Sequence, residues 1–264
     1  MQLHLLNRNG GNMNFKPYLL LLLMLHTGKG FASDTAELHS PSWQQVYNWF
    51  AKPIALPPWQ LRSQPGLIML QASSAQFGGG NLYYRPKGSA CMLSVPHQFH
   101  DQLTDKIGKA VFATRCQVLV INTEHRKAPS PDLYSMDYSH RPSGLHAAAA
   151  QAFARRYPTS HLYQLHGFSQ SKRRTPQARQ ADFIISQGRQ STDALSQLQM
   201  CLSKLSEHTY QYPQQVSELG GTRNVMHRLG LPAGYFIHIE ISRPMRERLV
   251  AQPDIMEQFT LCLI

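Results

Sequence analysis

Apolar residues in this chain fall into short bounded runs, and polar clusters stand at the ends of those runs. Residues 66–73 read as a strand, and Gly78, Gly79 and Gly80 before Asn81, Leu82, Tyr83 and Tyr84 read as a tight turn into its hairpin partner. These glycines also suit a close backbone approach to a ligand, but no helix follows to make a phosphate cradle, so a turn is the simpler reading. Residues 91–95 (CMLSV) form an apolar strand that Pro96 stops, because proline lacks a ladder donor and turns the chain. Beyond it Phe99, Leu103, Ile107 and Val111 recur every fourth position, the spacing of one buried helical stripe, so a helix is expected to open at His97. The continuous run 116–122 (CQVLVIN) is a buried strand, 144–156 an alanine-rich helix, and 161–165 the next strand, ending at His166 and Gly167. Residues 181–186 (ADFIIS) and 236–242 (FIHIEIS) add strands, while 193–206 and 245–251 read as helices.

Strands separated by helical or loop crossovers predict a single α/β domain with a mostly parallel central sheet flanked by helices. Ligands of such sheets bind beyond the C-terminal strand ends, where His97, Asp101, Arg126, His166 and Glu240 are expected to share a rim. Residues 34–68 are polar and proline-rich, carry Trp43, Trp49 and Trp59, and are expected to form an N-terminal arm over an α/β domain at 69–264.

The chemistry at that rim starts with a pair. On a helix four residues nearly complete a turn, so His97 and Asp101 stand about 40° apart and reach one ion. An aspartate in a first helical turn also serves the helix dipole, and His97 also serves as a cap or packing residue, so the pair alone does not demand a metal. His100 falls within the apolar stripe, where a core histidine is the simpler role; it is the substitute ligand. His166, at a strand end, is the third ligand candidate. Glu240 lies within an alternating strand, and a carboxylate buried there is costly unless it is paired, ligating or functional. Residues 169–180 hold Lys172, Arg173, Arg174 and Arg179, which form either a mobile solvated charge run or a lid for an anionic substrate. Gly220 and Gly221 permit a turn that presents Thr222, Arg223 and Asn224 to a pocket; helix capping by Thr222 or Asn224 is the alternative.

Composition narrows the partners. With 264 residues, 42% of them hydrophobic, the chain is long enough for one sizeable core. Residues 1–33 are expected to be a secretory signal: Lys16 precedes an apolar run at 18–25, and Gly30, Phe31 and Ala32 stand at the cleavage spacing. That run is far below the roughly 20 residues that span a bilayer, so no stable membrane anchor is expected and the location is periplasmic or secreted. Removing Arg8, Lys16 and Lys29 leaves 23 basic against 15 acidic residues, a formal +8. A basic exported protein meets anionic partners, and the absence of a recognition motif argues against nucleic acid. Cys91, Cys116, Cys201 and Cys262 lack zinc-knuckle spacing; they form disulfides in one of three full pairings, or remain buried thiols.

A histidine and an acid after one strand, a histidine after a later strand and a glutamate in a late strand carry a family resemblance. Over about residues 91–250 the chain resembles the carboxypeptidase A-like zinc hydrolase superfamily, and more narrowly its N-formylglutamate amidohydrolase and poly-gamma-glutamate hydrolase branches, through Pro96-His97 and Ile239-Glu240-Ile241. The resemblance implies a zinc carboxypeptidase or phosphorylase/hydrolase-like fold, Zn²⁺ held by His97, Asp101 and His166, and Glu240 as general base. It also implies that Arg126 contacts the scissile carbonyl and a substrate carboxylate, with Asn122 and Arg243 as further binding residues. The expected activity is hydrolysis of an amide or peptide bond in a small anionic or peptide substrate, such as an N-acyl amino acid, a gamma-glutamyl compound or a cell-wall peptide. A non-catalytic binding module for anionic ligands on the same fold is the alternative.

Overall fold

The computed structural model describes residues 40–73, 80–128 and 135–263, so the expected signal segment and Gly78 and Gly79 lie outside the described residues. Its first element is α1 (Trp43–Ala51), opened by a capping box in which Ser42 Oγ accepts from Gln45 N (3.2 Å) and Gln45 Oε1 from Ser42 N (2.8 Å). Two antiparallel hairpin strands follow, β1 (Gln60–Gln64) and β2 (Leu67–Gln71), and β3 (Asn81–Tyr84) pairs with β2. The stretch read as an arm therefore carries a helix and an edge strand of the sheet.

The central strands are β4 (Ser89–Val95), β5 (Cys116–Ile121), β6 (His161–Phe168) and β9 (Phe236–Ser242). Between β4 and β5 runs α2 (Thr104–Thr114), and between β5 and β6 runs α3 (Leu145–Arg156). A short α4 (Pro176–Gln180), β7 (Phe183–Ser186), α5 (Asp193–Leu202) and β8 (Thr209–Gln211) precede β9, and α6 (Arg243–Ala251) and α7 (Pro253–Cys262) follow it. The sheet has nine strands in the order β1-β2-β3-β5-β4-β6-β9-β7-β8. Its middle, β5-β4-β6-β9, is parallel, and antiparallel ladders flank it, so the sheet is mixed where the sequence led us to expect a mostly parallel one. The cause is local: the hairpin at the N-terminal edge and the return of β7 against β9 need no right-handed crossover.

Strand alternation divides the core. Leu93, Val95, Leu165, Ile239 and Ile241 face α2, α5, α6 and α7, whereas Met92, Val118, Leu162 and Phe236 face α1 and α3. Alanines at 147–150 keep α3 thin, which brings its backbone close to the sheet. Within 169–180 the chain forms a 3₁₀ turn at Gln170–Lys172 and then α4, so this stretch is more ordered than a solvated charge run. Neither the three-residue β8 nor α7, restarted by Pro253, is among the elements expected from the sequence, although Ile255, Met256, Phe259 and Cys262 recur at helical spacing in α7. Among the described residues no helix is long and apolar enough to cross a membrane.

All four cysteines are paired. Cys91–Cys116 staples β4 to β5, and Cys201–Cys262 ties α5 to α7. A Cys201→Ala/Cys262→Ala double variant is expected to lose about 2–4 kcal/mol of stability. Urea titration checks this, and an unchanged midpoint would mean that α7 is held by packing alone.

Candidate metal centre

The site grows out of strand alternation. Gln164 and His166 share a face of β6, as do His238 and Glu240 on β9, and the register sets Gln164 beside His238 and His166 beside Glu240. Ser94 of β4 joins the row opposite Gln164. Toward the N-terminal ends of these strands the same face is apolar and packs under α3; toward the C-terminal ends it is polar.

After β4 a single turn brings in two more residues. The amides of His100 and Asp101 both donate to His97 O (2.9 and 2.7 Å), so His97 and Asp101 face each other as their spacing implies. The expected helix does not open at His97. Leu103 takes a left-handed conformation (φ 76°), Thr104 N and Oγ1 donate to Asp101 O (3.2 and 2.7 Å), and α2 begins only at Thr104. The break turns Phe99 and His100 outward, which corrects the placement of both in the core stripe and removes His100 from the ligand set.

His97, Asp101 and His166 are buried, and one potential ligand atom from each lies within 4.8 Å of the others. Asp101 Oδ2 is 3.3 Å from His97 Nδ1 and 3.2 Å from His166 Nδ1. The surrounding hydrogen bonds fix which ring nitrogens carry protons. Met226 N donates to Asn224 Oδ1 (3.1 Å), so Asn224 turns its Nδ2 toward Gln164 Oε1. Gln164 Oε1 in turn faces His166 Nε2 at 2.8 Å, and Nε2 must be the protonated nitrogen. Burial, reinforced by His238, lowers the His166 pKa to about 4, so near neutrality the ring is uncharged and its Nδ1 is a lone pair. That lone pair faces the Asp101 carboxylate, a repulsive contact that a cation between them relieves.

His97 is built the same way. Its Nε2 is 2.7 Å from Asp137 Oδ1 and 3.1 Å from Ser139 Oγ, which leaves Nδ1 toward Asp101. Burial pulls its pKa down, but the hydrogen bonds to Asp101 and Asp137 together outweigh burial and raise it. Burial also disfavours ionised Asp101, yet His166 and His97 hold its carboxyl far below the usual range. Two imidazole nitrogens and one carboxylate oxygen, each histidine braced through its other nitrogen, form a donor set that fits Zn²⁺ with an open position.

Glu240 stands next to this set. Its Oε1 is 3.2 Å from His238 Nε2, while Oε2 is buried and has no hydrogen-bond partner. His238 packs at a tilt against His166 with ring centroids 4.4 Å apart and lies against Gly221, where φ is 57° and an added Cβ would come within 2.8 Å of the imidazole. Only glycine suits that position. Two cavities of about 380 and 520 Å³ meet here and share Arg126, His166, Leu219 and Glu240 as walls.

The remaining residues singled out from the sequence are distributed unevenly. Arg126 stands at the junction of the cavities, with Nη2 donating to Asp137 Oδ2. Thr222 lines the smaller cavity and Arg243 the rim of the larger, where it pairs with Glu247 at 2.9 Å. Asn224 borders the smaller cavity, but its amide is engaged by Gln164 and by capping the 3₁₀ turn Val225–Arg228. Asn122 is fully buried and lines neither cavity; its Nδ2 donates to Pro96 O and Met136 O (2.9 and 3.1 Å), bracing the end of β4. Sequence reasoning missed Asp137, Gln164, His238 and Arg246. Gln164 and His238 were findable, since each stands two positions before a named site residue on a strand; Asp137 lies in a loop with no periodic signal.

No family model matches the chain, and no curated protein matches it. Solved structures do. N-formylglutamate amidohydrolase from Ralstonia eutropha JMP134 is 13% identical with a TM-score of 0.47, over 76% of this chain and 96% of that one. A bacteriophage poly-gamma-glutamate hydrolase is 10% identical with a TM-score of 0.42, over 68% and 83%. A metallo-carboxypeptidase from Burkholderia cenocepacia is 8% identical with a TM-score of 0.31, over 83% and 66%. The likeness is broad, and what the site does is read from its own side chains.

The depressed His166 pKa has a testable sign. Between about pH 6.5 and about pH 4 the unfolded chain binds a proton at this histidine that the folded, chelator-treated chain does not, so acidification destabilises the fold. The stability advantage of wild type over His166→Gln is expected to shrink on acidification through that window, by up to about 1.4 kcal/mol per pH unit. Urea titrations at pH 6.5 and 4.5 measure it; a constant difference would contradict a neutral buried His166.

Proposed function

We propose that this chain is a zinc-dependent hydrolase that cleaves an amide or peptide bond in a carboxylate-bearing substrate. The observation that carries this reading is the placement of Glu240, with a buried and unpartnered Oε2, beside the convergent His97, Asp101 and His166. When bound, zinc supplies a Lewis acid that polarises a carbonyl and eases ionisation of water near neutral pH.

The protein's own groups do the rest. The Glu240 carboxylate accepts a proton from the attacking water and returns it to the leaving nitrogen as the C–N bond breaks. His238 holds one carboxylate oxygen, which fixes the Glu240 side chain at the shared wall of the cavities. Arg126, anchored on Asp137, retains further N–H donors for a substrate oxygen. Suitable substrates are N-acyl amino acids, gamma-glutamyl compounds and cell-wall peptides. Two disulfides support an oxidising compartment, and with it the reading of residues 1–33 as an export signal.

Purified without chelator, the wild type is expected to carry about one zinc per chain, as chelation of one ion by three side chains implies. His166→Ala loses the metal. Glu240→Gln keeps it and loses about 10²–10⁴-fold in turnover of N-acyl amino acids or gamma-glutamyl peptides. Metal analysis and an amidase assay decide the matter; a wild type that takes up no zinc, or a Glu240→Gln variant with full turnover, sinks the hydrolase.

A further inference from the structure

The larger cavity has a feature that the hydrolytic chemistry leaves unused. Arg246, on the first turn of α6, reaches back beneath the ends of β6 and β9 and is 5% exposed. Its guanidinium lies so close to Gly167 that a Cβ added there would overlap Nη1. Nη1 donates to Ile241 O at 2.6 Å, while Nε is buried without a hydrogen-bond partner. A guanidinium out of water is costly unless an anion meets it.

The neighbouring cations are already engaged. Arg126 pairs with Asp137, Arg173 with Glu218 at 3.6 Å, and Arg243 with Glu247 at 2.9 Å. Asp101 and Glu240 also line this cavity, but they contact His97, His166 and His238. Among the described residues neither Arg246 nor Lys172, which stands exposed at the cavity wall, has a carboxylate within ion-pair distance. A charged mouth of this kind also raises the local concentration of anions.

We propose that Arg246 and Lys172 form an anion subsite in this cavity, where Arg246 takes a carboxylate or phosphate group of the bound molecule. That the molecule is a substrate rests on the hydrolase reading; that it is anionic on this side does not. Arg246 binds and selects and takes no part in proton transfer. It acts beside Arg126, which is held by Asp137 and keeps its remaining donors for another oxygen.

Isothermal titration of the purified full chain with glutarate, with inorganic phosphate and with neutral glutaramide tests the subsite. Glutarate or phosphate is expected to bind, and whichever binds tighter names the group; glutaramide is not. Arg246→Gln should weaken binding at least tenfold, Arg246→Lys less, and Lys172→Ala a few-fold. Gly167→Ala keeps every charge but displaces the guanidinium, so a loss there as large as in Arg246→Gln separates direct contact from general electrostatics. Should Arg246→Gln fail to fold, Gly167→Ala and Lys172→Ala carry the test. Anions that bind no better than glutaramide, or unchanged binding in the folded variants, overturn the subsite. Anion binding by a chain that takes up no zinc would sink the hydrolase alone, and hydrolysis without an effect of these variants would sink the subsite alone.

Discussion

One buried carboxylate sets the geometry of this site. Asp101 is almost wholly removed from water, and an ionised group in that position is stable only when opposite charge or hydrogen-bond donors surround it. Its partners come from two neighbouring parallel strands, His97 just beyond β4 and His166 within β6. The strained backbone at Leu103 belongs to the same arrangement. A left-handed non-glycine residue costs about 1 kcal/mol, and here it lets Asp101 O cap α2 through Thr104 while the side chain turns into the site.

Orientation travels inward to that carboxylate from the backbone. The Met226 amide orients Asn224, Asn224 orients Gln164, and Gln164 fixes the proton of His166 on Nε2. Ser94 accepts from the other end of Gln164 (3.2 Å), so the amide cannot turn over without losing bonds at both ends. Asp137 does the same for His97 and also holds Arg126. The glycines complete the frame by subtraction: Gly221 leaves room for the His238 ring and Gly167 for the Arg246 guanidinium.

Much of this was legible in the sequence because strands advertise themselves by period. The runs at 91–95, 116–122 and 236–242 fall on β4, β5 and β9 within a residue or two, and the residues at their C-terminal ends do gather at one rim. The helix assumed at His97 failed because an apolar residue every fourth position records a face and says nothing of where a left-handed residue interrupts it. His97 and Asp101 still meet, since one isolated turn gives the same spacing as a helix. Arg246 was invisible for another reason: its environment is made by Gly167, nearly eighty positions away, and only the fold joins them.

Charge gives the site an order of assembly. Asp101, Asp137 and Glu240 outnumber Arg126 and Arg246 by one, so the side chains alone favour a cation at the point where two imidazole lone pairs already converge. A divalent ion there reverses the sign of the whole cluster. With Lys172 and Arg173 on the adjoining wall, the surroundings then attract an anion and repel a second cation. On the proposed zinc-hydrolase reading, the same groups take metal first and acidic ligand second.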